Sequence, residues 1–294
     1  MELSLNIAIG ATIIGLVVGM LTGIFGVGGG FLMTPALMIF LNIPGPVAVG
    51  TDLTVILANS SLGMLKRRRS GTIDVKLALT IAAGSVLGVL AGSYFLELLD
   101  DAPKLIILGK EQETVQYCLL CIFMVLLVWI AGYMLFDYKR NRGKARENRL
   151  GSFAGFKVPP YLYFSSLEQP QLSVVTLLIL GFFVGVLTGL IGIGGGIFLL
   201  PALVYFVGQP ARKAVGTSLL LVWISSLAAV IRKTSVGHVS LLLLLFLLIG
   251  GLTGTLLGTK IGLSLTGPKI RLYFVYLVIA AVLTIGYKLC VMTF

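Results

Sequence analysis

Two glycine-rich breaks inside long apolar runs constrain this chain more than any other feature of its sequence. The first break occupies residues 26–30 and is followed by Pro35, and the second occupies residues 192–196 and is followed by Pro201. Each break has four glycines in five positions. No stable helix keeps such a density, because each glycine costs about 1 kcal/mol relative to alanine. Backbone groups freed at membrane depth are tolerated only inside the protein or beside a wet cavity, so we expect the two breaks to frame the site of a transported solute.

The composition is that of a polytopic membrane protein. Of the 294 residues, 57% are hydrophobic and 11% are charged, and the mean hydropathy is +1.06. A soluble core of this size does not need so much apolar surface. The net charge of +11 comes from short basic clusters between apolar runs, which is typical of loops beside anionic lipid rather than of a nucleic-acid-binding surface. We expect a multi-pass protein of the cell (plasma or inner) membrane, with membrane lipid and no nucleic acid among its partners.

The chain contains an internal repeat with an offset of 166 residues. Residues 19–92 align with residues 185–258 without a gap, and 26 of the 74 pairs are identical, eleven of them glycines. Chance matching of apolar residues would not bring so many helix breakers into register. We call two residues that are 166 positions apart offset partners. The pattern predicts an all-α protein with an N-terminal transmembrane repeat (residues 1–137), a basic cytoplasmic linker (138–171) and a C-terminal transmembrane repeat (172–294).

The number of membrane segments depends on the short apolar segments 31–43 and 197–207, which are expected to be broken helices. If they cross, each half has five spans and the second half is inverted; if they are re-entrant, each half has four spans and the halves are parallel. We therefore predict 8–10 membrane segments. Basic residues, including those at 66–69, are expected to determine the topology from the cytoplasmic side, and their count favours the inverted five-plus-five arrangement over the parallel four-plus-four one. The inverted arrangement places these second-half residues inside: Arg212, Lys213, Lys260, Lys269 and Arg271.

These motifs resemble those of the sulfite exporter TauE/SafE family of membrane transporter proteins. The resemblance rests on two copies of the pattern G-x-G-G-G-x-x-x-x-P, at residues 26–35 and 192–201, and on the Gly-Thr pairs at 50–51 and 216–217. It covers essentially the whole chain except the linker. It implies a transporter of small anions, chiefly sulfite, thiosulfate, sulfonates, sulfoacetate-like or other organosulfur compounds. One departure is Asp52, which stands where the resemblance predicts a serine like Ser218.

The glycine breaks and one polar helix face supply the candidate substrate-binding residues. A short helix that begins after such a break presents N–H groups and the positive end of its dipole, which suit a sulfonate or sulfite. Hydroxyl and amide groups on one face of the third segment of each half could donate further hydrogen bonds. The structural alternatives are tight packing of the glycines and helix-to-helix contacts of the polar residues. The candidates are Gly26, Gly28, Gly29, Gly30, Thr51, Asn59, Ser60, Gly192, Gly194, Gly195, Gly196, Thr217, Ser218, Ser225 and Ser226.

Asp52 is the candidate residue for a coupling ion. It is the only acidic residue that falls inside a predicted span next to a repeat motif, and an ionisable group there is costly to bury. It could carry a proton or ligate Na⁺; alternatively, it caps a helix at the membrane surface beside Thr51.

The chain shows no catalytic arrangement, metal-ligand cluster or nucleotide-binding loop, so we expect no enzyme activity, no cofactor and no metal. The expected function is secondary transport of small sulfur anions, with export as the expected direction and H⁺ or Na⁺ as the coupling ion. An anion channel and a permease for non-sulfur organic anions are the alternatives. The sequence leaves a homo-oligomer open.

Overall fold

The described residues fold into a bundle of α-helices with two short hairpins in its loops. The computed structural model describes residues 5–67, 70–100, 103, 105–107, 110–112, 114–140, 153, 158–164, 167, 171–192, 194–235 and 237–293. The elements in chain order are α1 (Leu5–Phe25), α2 (Gly30–Phe40), α3 (Gly45–Arg67), α4 (Val75–Asp100), β1 (Leu105–Ile107), β2 (Lys110–Gln112), α5 (Thr114–Arg140), β3 (Tyr161–Tyr163), β4 (Gln171–Ser173), α6 (Val174–Ile191), α7 (Gly196–Pro201), a π-helical turn (Ala202–Phe206), α8 (Ala211–Ser235), α9 (Leu241–Ser264) and α10 (Gly267–Thr293).

The helix bounds follow from local sequence signals. Ser173 caps α6, because its side chain accepts a hydrogen bond from the N–H of Thr176, and Gly192 ends α6 in the left-handed conformation. Within the described residues, seven helices are long and apolar enough to cross a membrane. Shorter apolar helices cover Tyr117–Tyr133 and Gly196–Phe206. The polytopic helical prediction is therefore confirmed.

The loops differ from the sequence prediction. The interval after α4 carries the antiparallel hairpin β1–β2. The helix α5 continues to Arg140, and the antiparallel hairpin β3–β4 joins Tyr161–Tyr163 to Gln171–Ser173. Strands of three residues are too short for a period-two pattern to stand out, which explains why they were missed. Most of the predicted linker, including residues 141–150, lies outside the described residues.

Glycines bring two helix pairs, α4 with α6 and α1 with α9, into close contact. A Cβ on Gly88 would lie 2.0 Å from the Phe182 carbonyl oxygen, and a Cβ on Gly254, its offset partner, would lie 2.1 Å from that of Leu16. Gly84 and Gly92 make the same kind of contact with α6. The three glycines recur every four residues, so they share one face of α4 and permit the close approach of α6. Residue numbers rise together along both pairs, so the two helices of each pair run in the same direction.

The helices α3 and α8 cross at the centre and run in opposite directions. The Thr51 hydroxyl, near the start of α3, accepts a hydrogen bond of 3.1 Å from the N–H of Ser240, which lies beyond the end of α8. The Thr217 hydroxyl, near the start of α8, accepts one of 3.1 Å from the N–H of Asp74, beyond the end of α3. Each helix therefore begins beside the loop that ends the other, and both are largely buried.

Candidate functional site

The two glycine breaks are irregular, buried backbone between helices. Gly26, Gly28 and Gly29 have φ values of 68°, 77° and 83°, and Gly192, Gly194 and Gly195 have values of 77°, 62° and 71°. Residues with a side chain rarely adopt this left-handed region, so glycine is required at these six positions. The predicted interruption of both helices is therefore present at both sites.

The breaks meet each other at the centre of the bundle. A Cβ on Gly196 would lie 1.4 Å from the carbonyl oxygen of Val27, so the second break touches the first directly. A Cβ on either Gly28 or Gly194 would lie 3.0 Å from the Ile56 side chain. The Val222 side chain would be 2.7 Å from a Cβ on Gly28 and 3.2 Å from a Cβ on Gly194. Ile56 and Val222 are offset partners on α3 and α8. The two breaks and the two central helices therefore share one contact region.

A helix begins at the end of each break without a side-chain cap. Gly29 precedes α2 and Gly195 precedes α7, and neither can offer a capping group. The helix α2 contains Pro35, whereas Pro201 ends α7 and is followed by the π-helical turn. Proline lacks the N–H that would continue the hydrogen-bond ladder, so the hydrogen bonding of both short helices is interrupted at the proline. The start of α2 carries the positive end of its helix dipole.

The predicted polar face is buried, and much of it is used for structure. Besides the Thr51 and Thr217 contacts with the opposing loops, the Ser218 hydroxyl donates to the Gly26 carbonyl at 2.8 Å. The Ser60 hydroxyl donates to its own helix, and Ser225 pairs with Ser85 of α4 at 2.7 Å. The fully or almost fully buried candidates are Thr51, Asp52, Asn59, Ser60, Thr217, Ser218, Ser225 and Ser226.

Three of these side chains keep buried atoms without a hydrogen-bond partner among the described residues. The Asp52 Oδ2 atom accepts a 2.6 Å bond from the Thr34 hydroxyl, while its Oδ1 atom has no partner. Both amide atoms of Asn59 and the hydroxyl of Ser226 are also unpaired. The Ser226 oxygen would lie 3.3 Å from a Cβ on Gly194, beside the second break. Asp52 is fully buried, so the alternative of an exposed cap at the membrane surface is wrong.

Sequence reasoning missed two buried cations. Arg67, at the end of α3, is 1% exposed, and Lys233, near the end of α8, is 0% exposed. Arg67 is one of the basic residues at 66–69 that are expected to determine the topology, but its side chain does not lie at the surface, and its Nη2 donates to the Gly23 carbonyl at 2.9 Å. A signal existed in the sequence, because the two cations are offset partners. No group of three His, Cys, Asp or Glu side chains within the described part of the chain could hold a metal ion.

Broken helices that meet at a buried, partly polar centre are typical of membrane transporters. The model of the sulfite exporter TauE/SafE family matches residues 11–285, and the chain belongs to this family. It is 29% identical over 256 residues to the "Probable membrane transporter protein YunE" of Bacillus subtilis (strain 168), covering 85% of this chain and 86% of that relative.

Two further relatives are similar over comparable lengths. The "Probable membrane transporter protein YjnA" of the same organism is 30% identical over 249 residues, which is 85% of this chain and 88% of the relative. The "Probable membrane transporter protein MJ0441" of Methanocaldococcus jannaschii is 27% identical over 275 residues, 88% of each chain. No solved structure matches the chain significantly.

Proposed function

We propose that this membrane transporter is a secondary carrier of small anions, namely sulfur oxyanions or organosulfonates. The observation that carries the proposal is the set of buried, unpaired polar atoms of Asn59, Ser226 and Asp52 on the central helices α3 and α8, with Ser226 next to the second glycine break. An unpaired polar group inside a membrane protein costs about 1–3 kcal/mol. A bound oxyanion, with several acceptor oxygens, would pair with the amide and hydroxyl donors and remove this cost.

Asp52 links the anion to a proton in this proposal. A negatively charged carboxylate would repel an anion bound nearby in a region of low dielectric constant. A protonated Asp52 would instead offer an O–H donor, and Thr34 already holds the other carboxyl oxygen at 2.6 Å. We propose that the anion and the proton move together through this site. A dianion such as thiosulfate or sulfoacetate that moves with one proton keeps one negative charge, and the inside-negative potential of a cell favours its exit, so export is the proposed direction.

The proposed architecture is the inverted five-plus-five repeat. Its support is that α3 and α8, which are offset partners, run in opposite directions, whereas a parallel four-plus-four arrangement requires the same direction. The matched contacts of Gly88 and Gly254 on their partner helices also support a repeat. Inverted repeats place the solute site at the interface between the halves, near the bilayer midplane.

Thiol labelling at two offset partners tests this topology. Gly71 and Gly237 lie in exposed turns, and a Cβ on either residue would meet no atom within 4 Å. Single Gly71→Cys and Gly237→Cys variants would be made after Cys118, Cys121 and Cys290 are replaced by serine. In intact cells, an impermeant maleimide should label only one of the two variants. Labelling of both from the same side would reject the inverted arrangement.

Ligand-induced thermal stabilisation of the detergent-purified protein tests the anion site. Sulfite, sulfate, thiosulfate, taurine, sulfoacetate, isethionate and simple carboxylates would each be added at millimolar concentration. A ligand stabilises the folded state by RT ln(1 + [L]/Kd), so a weak site is still detectable. We expect one or more sulfur anions to raise the melting temperature. Stabilisation by carboxylates alone would favour the non-sulfur alternative, and no response to any anion would contradict the proposal.

Matched variants locate the site. Asn59→Leu and Ser226→Ala remove unpaired donors, so we expect them to abolish the anion-induced shift. Thr253→Ala is the control, because the Thr253 hydroxyl is exposed and bonds only within its own helix, at 2.9 Å to the Ile249 carbonyl. An anion response that survives both donor substitutions would place binding elsewhere.

A further inference from the structure

The two buried cations lie at opposite ends of the central helix pair. Arg67 belongs to the last turn of α3, and Lys233 occupies the offset position near the end of α8. Because α3 and α8 run in opposite directions, the two cations lie on opposite sides of the contact region of the glycine breaks. Neither side chain is accessible to solvent beyond 1%. A charge buried this deeply in a membrane protein needs a partner or a function.

Lys233 has no hydrogen-bond partner among the described residues. Glu97 and Asp100 act on it electrostatically, but both have other contacts. Glu97 pairs with Arg232 at 2.5 Å, and Asp100 lies 3.7 Å from the Nε2 atom of His238. The Lys233 ammonium therefore has three donors that the described protein does not use.

Arg67 is partly satisfied and has no carboxylate beside it within the described ranges. Its Nη2 atom donates to the carbonyls of Gly23 and Ile24, at the end of α1, but its Nε atom has no partner. The charged group that acts on it is a second cation, Arg212. A site with two cations and no acidic partner suits an anion.

A buried hydroxyl without a hydrogen-bond partner in the described structure lies on the helix that packs against each cation's own helix. Thr259 belongs to α9, which packs on α3, and Ser93 belongs to α4, which packs on α8. Thr259 and Arg67 both lie next to Gly23. A Cβ on Gly23 would be 2.4 Å from the Thr259 nitrogen, and the Gly23 carbonyl accepts a hydrogen bond from Arg67. Ser93, the offset partner of Thr259, lies beside Gly189, with its oxygen 3.0 Å from an ideal Cβ on that glycine. Neither hydroxyl has a partner in the described structure. The same pair of groups, a cation and a hydroxyl, thus recurs at offset positions.

We propose that Arg67 with Thr259, and Lys233 with Ser93, form two anion-binding stations, one on each side of the glycine breaks. This inference rests on the proposed anion transport and names two further sites in its path. Each station binds a small oxyanion through a charged and a neutral donor before the anion reaches the centre, or after it leaves. A purely structural role, in which Arg67 caps the carbonyl end of α1, explains its contacts with Gly23 and Ile24. It does not explain Lys233, whose ammonium is buried without a hydrogen-bond partner among the described residues.

Side-specific transport kinetics test the stations. Right-side-out and everted membrane vesicles from expressing cells would be used to measure the KM for the anion that stabilises the protein most strongly, starting with sulfite, thiosulfate and sulfoacetate. Loss of one charge-assisted hydrogen bond predicts a rise in KM of about 10-fold to 100-fold. We expect Lys233→Met to raise KM from one side only and Arg67→Gln to raise it from the other side. The glutamine of Arg67→Gln keeps an N–H donor for the Gly23 carbonyl, so this contact is retained. Lys233→Arg keeps the positive charge, and its KM should equal that of the wild type.

Different results would reject the two stations alone or the proposed anion transport as a whole. Equal KM changes from both sides, or a fall in maximal rate with unchanged KM, would overturn the stations and leave anion transport intact. If the wild-type protein neither binds nor moves any anion tested, the proposed function is rejected first and the stations with it.

Discussion

The contact between α4 and α6 predicts a large difference between two glycine-to-alanine substitutions. A Cβ on Gly88 would lie 2.0 Å from the Phe182 carbonyl oxygen and 2.8 Å from the Val186 nitrogen. An ordinary carbon–oxygen contact is about 3.4 Å, so these two atoms must move apart by about 1.4 Å. Such overpacking typically costs about 1–3 kcal/mol, which exceeds the gain of up to about 1 kcal/mol from alanine's helix propensity. We therefore expect Gly88→Ala to destabilise the protein.

Gly132→Ala is the matched control. Gly132 also lies in the middle of a helix, α5, but a Cβ there would meet nothing within 4 Å. Its melting temperature should equal or exceed that of the wild type, since only the helix propensity changes. Thermal unfolding in detergent, followed by circular dichroism, measures both variants. A Gly88→Ala protein as stable as Gly132→Ala would refute the close packing of α4 on α6. Gly254→Ala should behave like Gly88→Ala.

Three further predictions concern single polar groups. Ser218→Ala should lower the free energy of unfolding by about 1–3 kcal/mol, because the buried carbonyl at the first break loses its donor; urea or thermal unfolding checks this. Asn59→Leu should leave the stability of the anion-free protein unchanged or higher, since neither amide atom has a partner in the described structure; a clear loss in melting temperature would contradict this. Burial and the charge of Lys233 lower the pKa of His238 below its usual 6.5, against the opposing charge of Asp100. The unfolded chain then binds this proton more readily, so stability should fall as the pH falls below about 6.5, and His238→Gln should flatten melting curves recorded between pH 7 and 5.

Much of the fold could be predicted from the sequence because its strongest signals are local. Glycine and proline interrupt helices through their own backbone chemistry, so the breaks, the long apolar helices and the glycine face of α4 were all predictable. Which helices pack against each other could not be predicted. The apolar faces of α1, α4, α6 and α9 are similar, and only the tertiary structure determines that α1 packs on α9 and α4 on α6.

The candidate site was harder to predict because the same residue type serves different roles. Thr51 and Asn59 lie on one helix, yet the first bonds to an opposing loop and the second has no partner among the described residues. A sequence pattern gives the helix face but not the partner of each side chain. Arg67 and Lys233 were missed because basic residues at the end of a span usually lie at the membrane surface. Their relation as offset partners was the available signal.

Anion flux into proteoliposomes, recorded together with internal pH, tests whether this protein moves a sulfur anion together with a proton. The purified protein would be reconstituted with a pH-sensitive dye inside the vesicles, and an inward gradient of sulfite, thiosulfate or sulfoacetate would be applied. We expect saturable anion uptake with acidification of the interior, and we expect that an Asp52→Asn protein no longer moves protons with the anion. Non-saturable flux without proton movement would indicate a channel. The absence of flux for every sulfur anion would contradict the proposed function.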